Sequence, residues 1–217
     1  MKMGWGKILE LLGLSGKSIS SLKDILSQGE FKPLSLNGEF DSGYALGEYR
    51  ARLDPAKKRT PVGELAHGFK YKYDKNSGMR LAELAVRFIK QNEEFRTADL
   101  ILTVPPSFTS RPFDPVSLLA EEVSVNTDIP YRKGLIKRVR LTKLQKRTLD
   151  KRSKMQNVSG AFELIDRNTI KDKNVLLLDD LYASGATIDE VTRILKQRGA
   201  KHVFALTLIK TSWGKDY

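Results

Sequence analysis

Apolar residues fall along this chain in two alternating patterns. Continuous apolar runs of strand length are predicted as strands over residues 99–104, 158–164, 174–178 and 203–209. Helical spacing predicts helices over residues 62–70, 79–90, 115–125 and 188–195. Because strands that alternate with helices pair in parallel, the pattern predicts an α/β fold with a central, mostly parallel sheet flanked by helices.

The N-terminal part of the chain follows this pattern less closely. Residues 1–36 have the apolar spacing of two short helices, and we favour helices docked on the domain over helices lying on a membrane surface. We therefore predict an N-terminal helical appendage over residues 1–40 and one main domain over residues 41–217. Loose alternation over residues 43–53 predicts an exposed strand, which a hairpin would accommodate.

The most specific pattern lies between residues 174 and 187. An apolar run ends in two adjacent carboxylates, Asp179 and Asp180, and a turn of small residues around Gly185 leads into a helix. The N–H groups of such a turn and the positive end of the helix can hold a phosphate, and the carboxylates would face sugar hydroxyls or a metal-bound ligand. Neither a Walker P-loop nor a dinucleotide-binding GxGxxG motif is present.

Charge is unevenly distributed along the chain. The net charge is +12, and residues 132–154 contain eleven Lys and Arg residues against a single acid, Asp150. A concentrated basic segment favours a polyanionic partner such as pyrophosphate or a nucleic-acid backbone. The chain has no cysteine, which excludes disulfides, thiol catalysis and cysteine-bound zinc. Without a secretory signal or an apolar run of membrane-spanning length, we expect a cytoplasmic protein with no stable membrane insertion.

From about residue 43 to residue 211 the chain resembles the ComF family of phosphoribosyltransferase-like proteins. The matching elements are, in order, 69–71 (Phe-Lys-Tyr), 98–107, 142–145, 152 with 157–162, 179–187 and 196–200. Two features depart from the family: the cysteine zinc ribbon that often begins these proteins is absent, and the usual Arg-Gly-Phe-Asn-Gln reads Arg-Pro-Phe-Asp-Pro at residues 111–115.

The resemblance implies a type I phosphoribosyltransferase-like fold with a small N-terminal helical or hood region. It also implies a site for 5-phosphoribosyl-1-pyrophosphate (PRPP), in which Asp179 and Asp180 bind the ribose hydroxyls directly or through Mg²⁺. The expected 5-phosphate loop consists of Ala183, Ser184, Gly185, Ala186 and Thr187. The candidates for pyrophosphate binding are Pro105, Pro106, Ser107 and Arg111. A flexible loop would close over the site, with Lys137, Arg138, Lys143 and Arg152 as candidates for contacting the ligand.

Two functions are compatible with these residues. The first is a Mg²⁺-assisted phosphoribosyltransferase that uses PRPP and releases pyrophosphate. The second is a non-catalytic, PRPP-responsive protein that binds single-stranded nucleic acid through residues 132–154, in DNA uptake or processing during competence. Purine-salvage transferases typically carry a proton-handling carboxylate where this chain has Ala183, and alanine cannot transfer a proton. We therefore assign no catalytic residue, and the acceptor and a homodimeric state are left open.

Overall fold

The computed structural model of the protein describes residues 31–51, 54–56, 58–106, 114–140 and 151–211, without the side chains of residues 151 and 152. Of the helical appendage predicted over residues 1–40, residues 1–30 lie outside this range, and residues 31–40 contain no helix. The strands are β1 (Leu34–Ser35), β2 (Ser42–Ala45), β3 (Leu100–Thr103), β4 (Ile136–Arg138), β5 (Phe162–Leu164), β6 (Asn174–Tyr182) and β7 (His202–Lys210). The helices are α1 (Pro61–Tyr71), α2 (Lys75–Gln91), α3 (Glu93–Arg96), α4 (Pro115–Thr127), α5 (Lys151–Val158) and α6 (Ala186–Gln197).

A five-stranded sheet in the order β1-β2-β7-β6-β3 forms the centre of the fold. Strands β2, β7, β6 and β3 run parallel, and only the short edge strand β1 pairs antiparallel. Helices α1 to α4 pack on one face, whereas α6, the end of α5 and the β4–β5 hairpin pack on the other. The predicted α/β class, with a mostly parallel sheet between helices, is confirmed.

The predicted helices are present, and side-chain caps set where they begin. Thr60 accepts a hydrogen bond from Gly63 N, and Pro61 occupies the first turn of α1. Helix α2 begins at Lys75, four residues earlier than predicted, because Asp74 accepts hydrogen bonds from Asn76 N and Ser77 N. A cap of this kind outweighs the weak helical preference of the first residues of α2.

The exposed strand predicted over residues 43–53 is wrong. Strand β2 covers only Ser42–Ala45 and is an internal strand of the sheet, between β1 and β7. Tyr44 packs against one core cluster, and Ala45 is fully buried in the other. Internal parallel strands are covered on both faces, so loose alternation was a poor guide to exposure here.

The basic segment, residues 132–154, has regular structure at both of its ends. Near its start, strand β4 pairs antiparallel with β5. The other end of the segment forms α5, so the strand predicted over residues 158–164 begins only at Phe162. In the part of the chain that the structure describes, no helix combines the length and apolar composition needed to span a membrane.

Candidate functional site

The two adjacent aspartates lie at the carboxyl end of β6. Neighbouring strands flank them, since Asp179 is in register with Thr207 of β7 and Val104 N donates to Leu178 O at 3.0 Å. Successive residues of a strand point to opposite faces of the sheet, so the two carboxyl groups meet different surroundings. The Asp180 N–H donates to Asp179 Oδ1 at 2.8 Å. Ligands of open parallel sheets bind at this edge, beyond the carboxyl ends of the strands.

Asp180 forms an ion pair with Lys70, from the last turn of α1. The Lys70 and Asp180 side chains are only 21% and 22% exposed, so this contact is shielded from solvent more than an ordinary surface pair. Lys70 belongs to the Phe-Lys-Tyr element of the sequence resemblance, which carried no predicted role.

Asp179 lies near Arg138, which belongs to β4. The Arg138 guanidinium donates to Pro105 O at 3.2 Å and lies over the Phe162 ring, 4.5 Å from its centroid. Burial lowers the pKa of Arg138, and the charge of Asp179 opposes that shift. Arg138 thus connects the acid pair with the turn that follows β3.

The pKa of Asp179 is raised well above its ordinary value. Burial is the largest cause, and the neighbouring Asp180 adds to it, whereas the Asp180 N–H, Lys70 and Arg138 act in the opposite direction. Burial beside a second acid therefore favours the protonated form of Asp179 more than an exposed position would.

The turn after β6 leads into a helix whose first turn has no side-chain cap. Gly185 has a φ of 81°. A Cβ at residue 185 would lie 2.6 Å from the Tyr182 hydroxyl oxygen, so only glycine fits. Uncapped N–H groups at a helix N-terminus can bind anionic oxygens. Ala183, Ser184 and Thr187 are partly exposed around this turn, whereas Ala186 is buried.

The segment before β2 forms hydrogen bonds with residues on both sides of the same turn. The Tyr182 hydroxyl donates to Asn37 O at 2.6 Å, and Asp189 Oδ1 accepts from Glu39 N at 3.0 Å. Lys196 Nζ, further along α6, donates to Glu39 O at 2.8 Å. These bonds fix the start of α6 relative to the end of β6, which holds the turn in place.

The turn after β3 is held at both of its ends. Pro105 is partly buried and Pro106 is exposed, whereas the predicted Ser107 and Arg111 lie outside the described residues. Beyond them, Asp114 caps α4 by accepting from Val116 N and Ser117 N. The Ser117 hydroxyl donates to Asp114 at 2.6 Å and lies 2.9 Å from the Tyr131 hydroxyl.

The Tyr131 hydroxyl continues this chain of hydrogen bonds to Thr103 Oγ1 at 3.0 Å. The polar chain therefore runs from the last residue of β3 to the first turn of α4. In the departure from the family sequence, Asp114 stands where the family has asparagine, and both residues are good helix caps. Asp114 therefore caps α4 at the place where this chain departs from the family sequence.

The loop candidates of the basic segment do not all lie in a loop. Lys137 and Arg138 belong to β4, so their prediction as flexible-loop residues is wrong, because pairing with β5 fixes the backbone there. Lys137 is exposed, and Arg138 contacts Pro105 as described above. Lys143 and the side chain of Arg152 lie outside the described residues.

Arg140 brings the two ends of the basic segment together. Its guanidinium donates to Asn157 O at 2.9 Å and to Ser159 O at 2.7 Å, at the end of α5. Gly160 N in turn donates to Glu190 Oε1 of α6 at 2.8 Å. Arg140 and the chain just after α5 are therefore attached to α6, the helix that begins at the turn around Gly185.

Sequence reasoning missed Lys70 and Tyr182 as site residues. Lys70 had a signal, because the Phe-Lys-Tyr element was recognised, but its partner lies far along the chain. Tyr182 directly follows the acid pair and precedes the turn, yet its hydroxyl partner is a backbone oxygen that no motif indicates.

The chain is similar to proteins of known families. A family model described as phosphoribosyl transferase domain matches residues 119–215. Competence protein F of Haemophilus influenzae is 30% identical over 128 residues, which cover 57% of this chain and 56% of that protein. Competence protein ComFC of Streptococcus pneumoniae is 25% identical over 144 residues, which cover 65% of this chain and 60% of that protein. The chain thus matches less than two thirds of the length of either relative.

Among solved structures, adenine phosphoribosyltransferase from Leishmania tarentolae superimposes with a TM-score of 0.43 at 13% identity. That alignment covers 91% of this chain and 90% of the Leishmania chain. The family model spans β6, the acid pair and α6, and the two competence proteins are similar to more than half of the chain. The chain thus matches the phosphoribosyl transferase domain over residues 119–215 and is similar to competence proteins of the ComF type over more than half of its length.

Proposed function

We propose that the protein binds PRPP at the carboxyl edge of the sheet and transfers its phosphoribosyl group to an acceptor, with release of pyrophosphate. One observation carries this proposal: the acid pair of β6 is followed directly by a glycine turn and an uncapped helix N-terminus. This arrangement supports the proposal, because two carboxylates that could bind ribose hydroxyls lie next to a turn whose N–H groups could bind the 5-phosphate.

In the proposed reaction, the bond between C1 of the ribose and the pyrophosphate oxygen breaks. The electron pair leaves with pyrophosphate, and a lone pair of the acceptor forms the new bond to C1. Asp179 and Asp180 orient the ribose through its hydroxyls, and the carboxylate of Asp180 stabilises the positive charge that develops on the sugar. Arg138 lies close to both Asp179 and Pro105, and its positive charge stabilises the negative charge of the departing pyrophosphate.

Mg²⁺ fits this site only as a partner of the ligand. Within the described residues, no three or more His, Cys, Asp or Glu side chains are grouped to hold a metal. Mg²⁺ requires six oxygen ligands, and two carboxylates supply a minority of them. We propose that Asp179 and Asp180 would hold the ion together with oxygens of the bound ligand, and that it would supply positive charge to neutralise the leaving group.

The proton of the acceptor must pass to a group other than the side chain of residue 183, in the turn after β6. Ala183 has no ionisable group, so a purine-salvage reaction with an acid at that position is not supported. The proposed acceptor is a nucleobase or amine whose proton passes to solvent or to the leaving pyrophosphate.

A turnover assay tests the transfer. The protein is incubated with PRPP, Mg²⁺ and a panel of nucleobases and amines, and released pyrophosphate is measured. We expect release that depends on one acceptor and is lost in the Asp179→Asn/Asp180→Asn variant. Acceptor-independent release, or equal release by the variant, contradicts the proposal.

One observation favours a second function, the binding of single-stranded nucleic acid without turnover. The Arg140 guanidinium donates to two backbone carbonyls, Asn157 O and Ser159 O, which carry no formal negative charge. The eleven Lys and Arg residues of residues 132–154, against the single Asp150, would give this segment a strongly basic surface. This function predicts salt-sensitive binding of single-stranded DNA that persists in Asp179→Asn/Asp180→Asn. Binding that disappears with the acid pair contradicts it.

A further inference from the structure

The position of Lys70 is fixed by the helix that carries it. Helix α1 is anchored at its start by Thr60, which accepts from Gly63 N at 2.9 Å and also donates to Glu48 O. At its end, Gly68 packs so closely on Ser77 of α2 that a Cβ would lie 2.8 Å from the Ser77 hydroxyl. The backbone around Lys70 is therefore held, and only its side chain is free to change direction.

The Lys70 ammonium forms an ion pair with Asp180, one of the two carboxylates expected to bind the ribose. About four-fifths of each of the two side chains is shielded from solvent. A shielded ion pair contributes little net stability, because the loss of hydration offsets much of the attraction. Fold stability alone therefore does not account for a lysine at this place.

A ligand that engages Asp180 changes the balance of charge around Lys70. When ribose hydroxyls or a ligand-borne cation contact Asp180, the ammonium loses its partner while a pyrophosphate group with several negative charges arrives nearby. Lysine is a compact charge on a flexible four-carbon stem, so it can exchange one anion for another by a rotamer change. The rigid helix end keeps the ammonium within reach of the same edge of the sheet.

We propose that Lys70 is a ligand-binding residue that pairs with Asp180 in the free protein and contacts the pyrophosphate group of the bound ligand. This inference rests on the proposed PRPP site and adds a residue to it. Lys70 thereby supplies a cation from the face of the sheet opposite Arg138, so that the pyrophosphate lies between two positive side chains on different elements.

Calorimetric titration of Lys70→Met with three probes in Mg²⁺ buffer tests this proposal: PRPP, inorganic pyrophosphate and ribose 5-phosphate. Loss of one hydrogen bond to a charged group should weaken PRPP and pyrophosphate binding about 10- to 100-fold. Ribose 5-phosphate lacks the pyrophosphate group, so its affinity should change less than threefold. Lys70→Arg should retain part of the affinity, because it keeps the charge.

Lys72→Met is the matched control, since Lys72 is an exposed lysine two residues further along. It should bind all three probes like the wild type. If Lys70→Met weakens the three probes equally, or weakens none of them, Lys70 has no specific contact with pyrophosphate and the inference is wrong. If the wild type binds neither PRPP nor pyrophosphate, the proposed function fails as well, which is a separate result.

Discussion

At the scale of single residues, the site depends on a glycine and on two acids in unequal surroundings. Gly185 allows the backbone to turn from β6 into α6 directly above the Tyr182 ring. Asp179 and Asp180 are adjacent in sequence, yet the first is close to Arg138 and the second is paired with Lys70. Neighbouring residues of a strand therefore acquire different chemistry from the elements on either side of the sheet.

Gly185→Ala should destabilise the protein and abolish binding of the 5-phosphate of PRPP to the turn. A left-handed backbone costs a residue with a Cβ about 1–2 kcal/mol, and the overlap with Tyr182 adds to this. Gly160 is the matched control, because its φ is also positive, at 66°, but a Cβ there would have no neighbour within 4 Å. Urea unfolding should show a larger loss for Gly185→Ala than for Gly160→Ala. Equal losses would mean that Tyr182 imposes no constraint on the turn.

The raised pKa of Asp179 predicts a specific pH dependence. Its pKa is higher in the folded than in the unfolded protein, where it is about 4, so the folded state holds the proton more tightly. Asp179 therefore reduces stability increasingly as the pH rises from about 4 towards the raised value. Asp179→Asn should gain stability relative to the wild type across that interval, as measured by urea unfolding at a series of pH values. A constant difference between the two proteins would show that the pKa of Asp179 is not raised.

At the scale of elements, both loops at the sheet edge are attached at their ends by hydrogen bonds. The turn after β3 is connected to α4 through Thr103, Tyr131, Ser117 and Asp114. The base of the basic segment is closed by Arg140 and reaches α6 through Gly160. Burial raises the pKa of Tyr131, so its hydroxyl stays protonated and available for hydrogen bonding.

Asp114→Ala should destabilise the protein by about 1–2 kcal/mol, because it removes the cap of α4. Asp114→Asn restores the residue usual in the family and should cost much less, since asparagine caps a helix as well as aspartate does. Thermal and urea unfolding of the two variants provide the comparison. Equal destabilisation would indicate that the charge of Asp114, rather than its capping, is what the fold requires.

At the scale of the whole molecule, the sequence predicted the parallel core well because its strands lie in continuous apolar runs. The runs that became β3, β6 and β7 could be recognised directly. Strand β2 could not, because its residues are not a continuous apolar run and its burial on both faces comes from elements far away in sequence. The acid pair and the glycine turn were predictable because they are contiguous.

The surroundings of the acid pair were not predictable in the same way. Lys70 and Arg138 reach it from α1 and β4, and their positions depend on how those elements pack on opposite faces of the sheet. Tyr182 finds its partner in the backbone of Asn37, which leaves no trace in the side-chain sequence. A contiguous motif identifies the ligand group it can bind, whereas the charges around it require the fold.

The central claim, that the acid pair and its turn bind PRPP, is tested most directly by calorimetric titration with PRPP and Mg²⁺. The wild type should bind, and Asp179→Asn/Asp180→Asn should bind at least about 100-fold more weakly, since two hydrogen bonds to charged groups are lost. Glu93→Gln/Glu94→Gln removes another adjacent pair of acids, exposed in the first turn of α3, and should bind like the wild type. A wild type that does not bind PRPP, or an Asp179/Asp180 variant that binds it equally well, would contradict the claim.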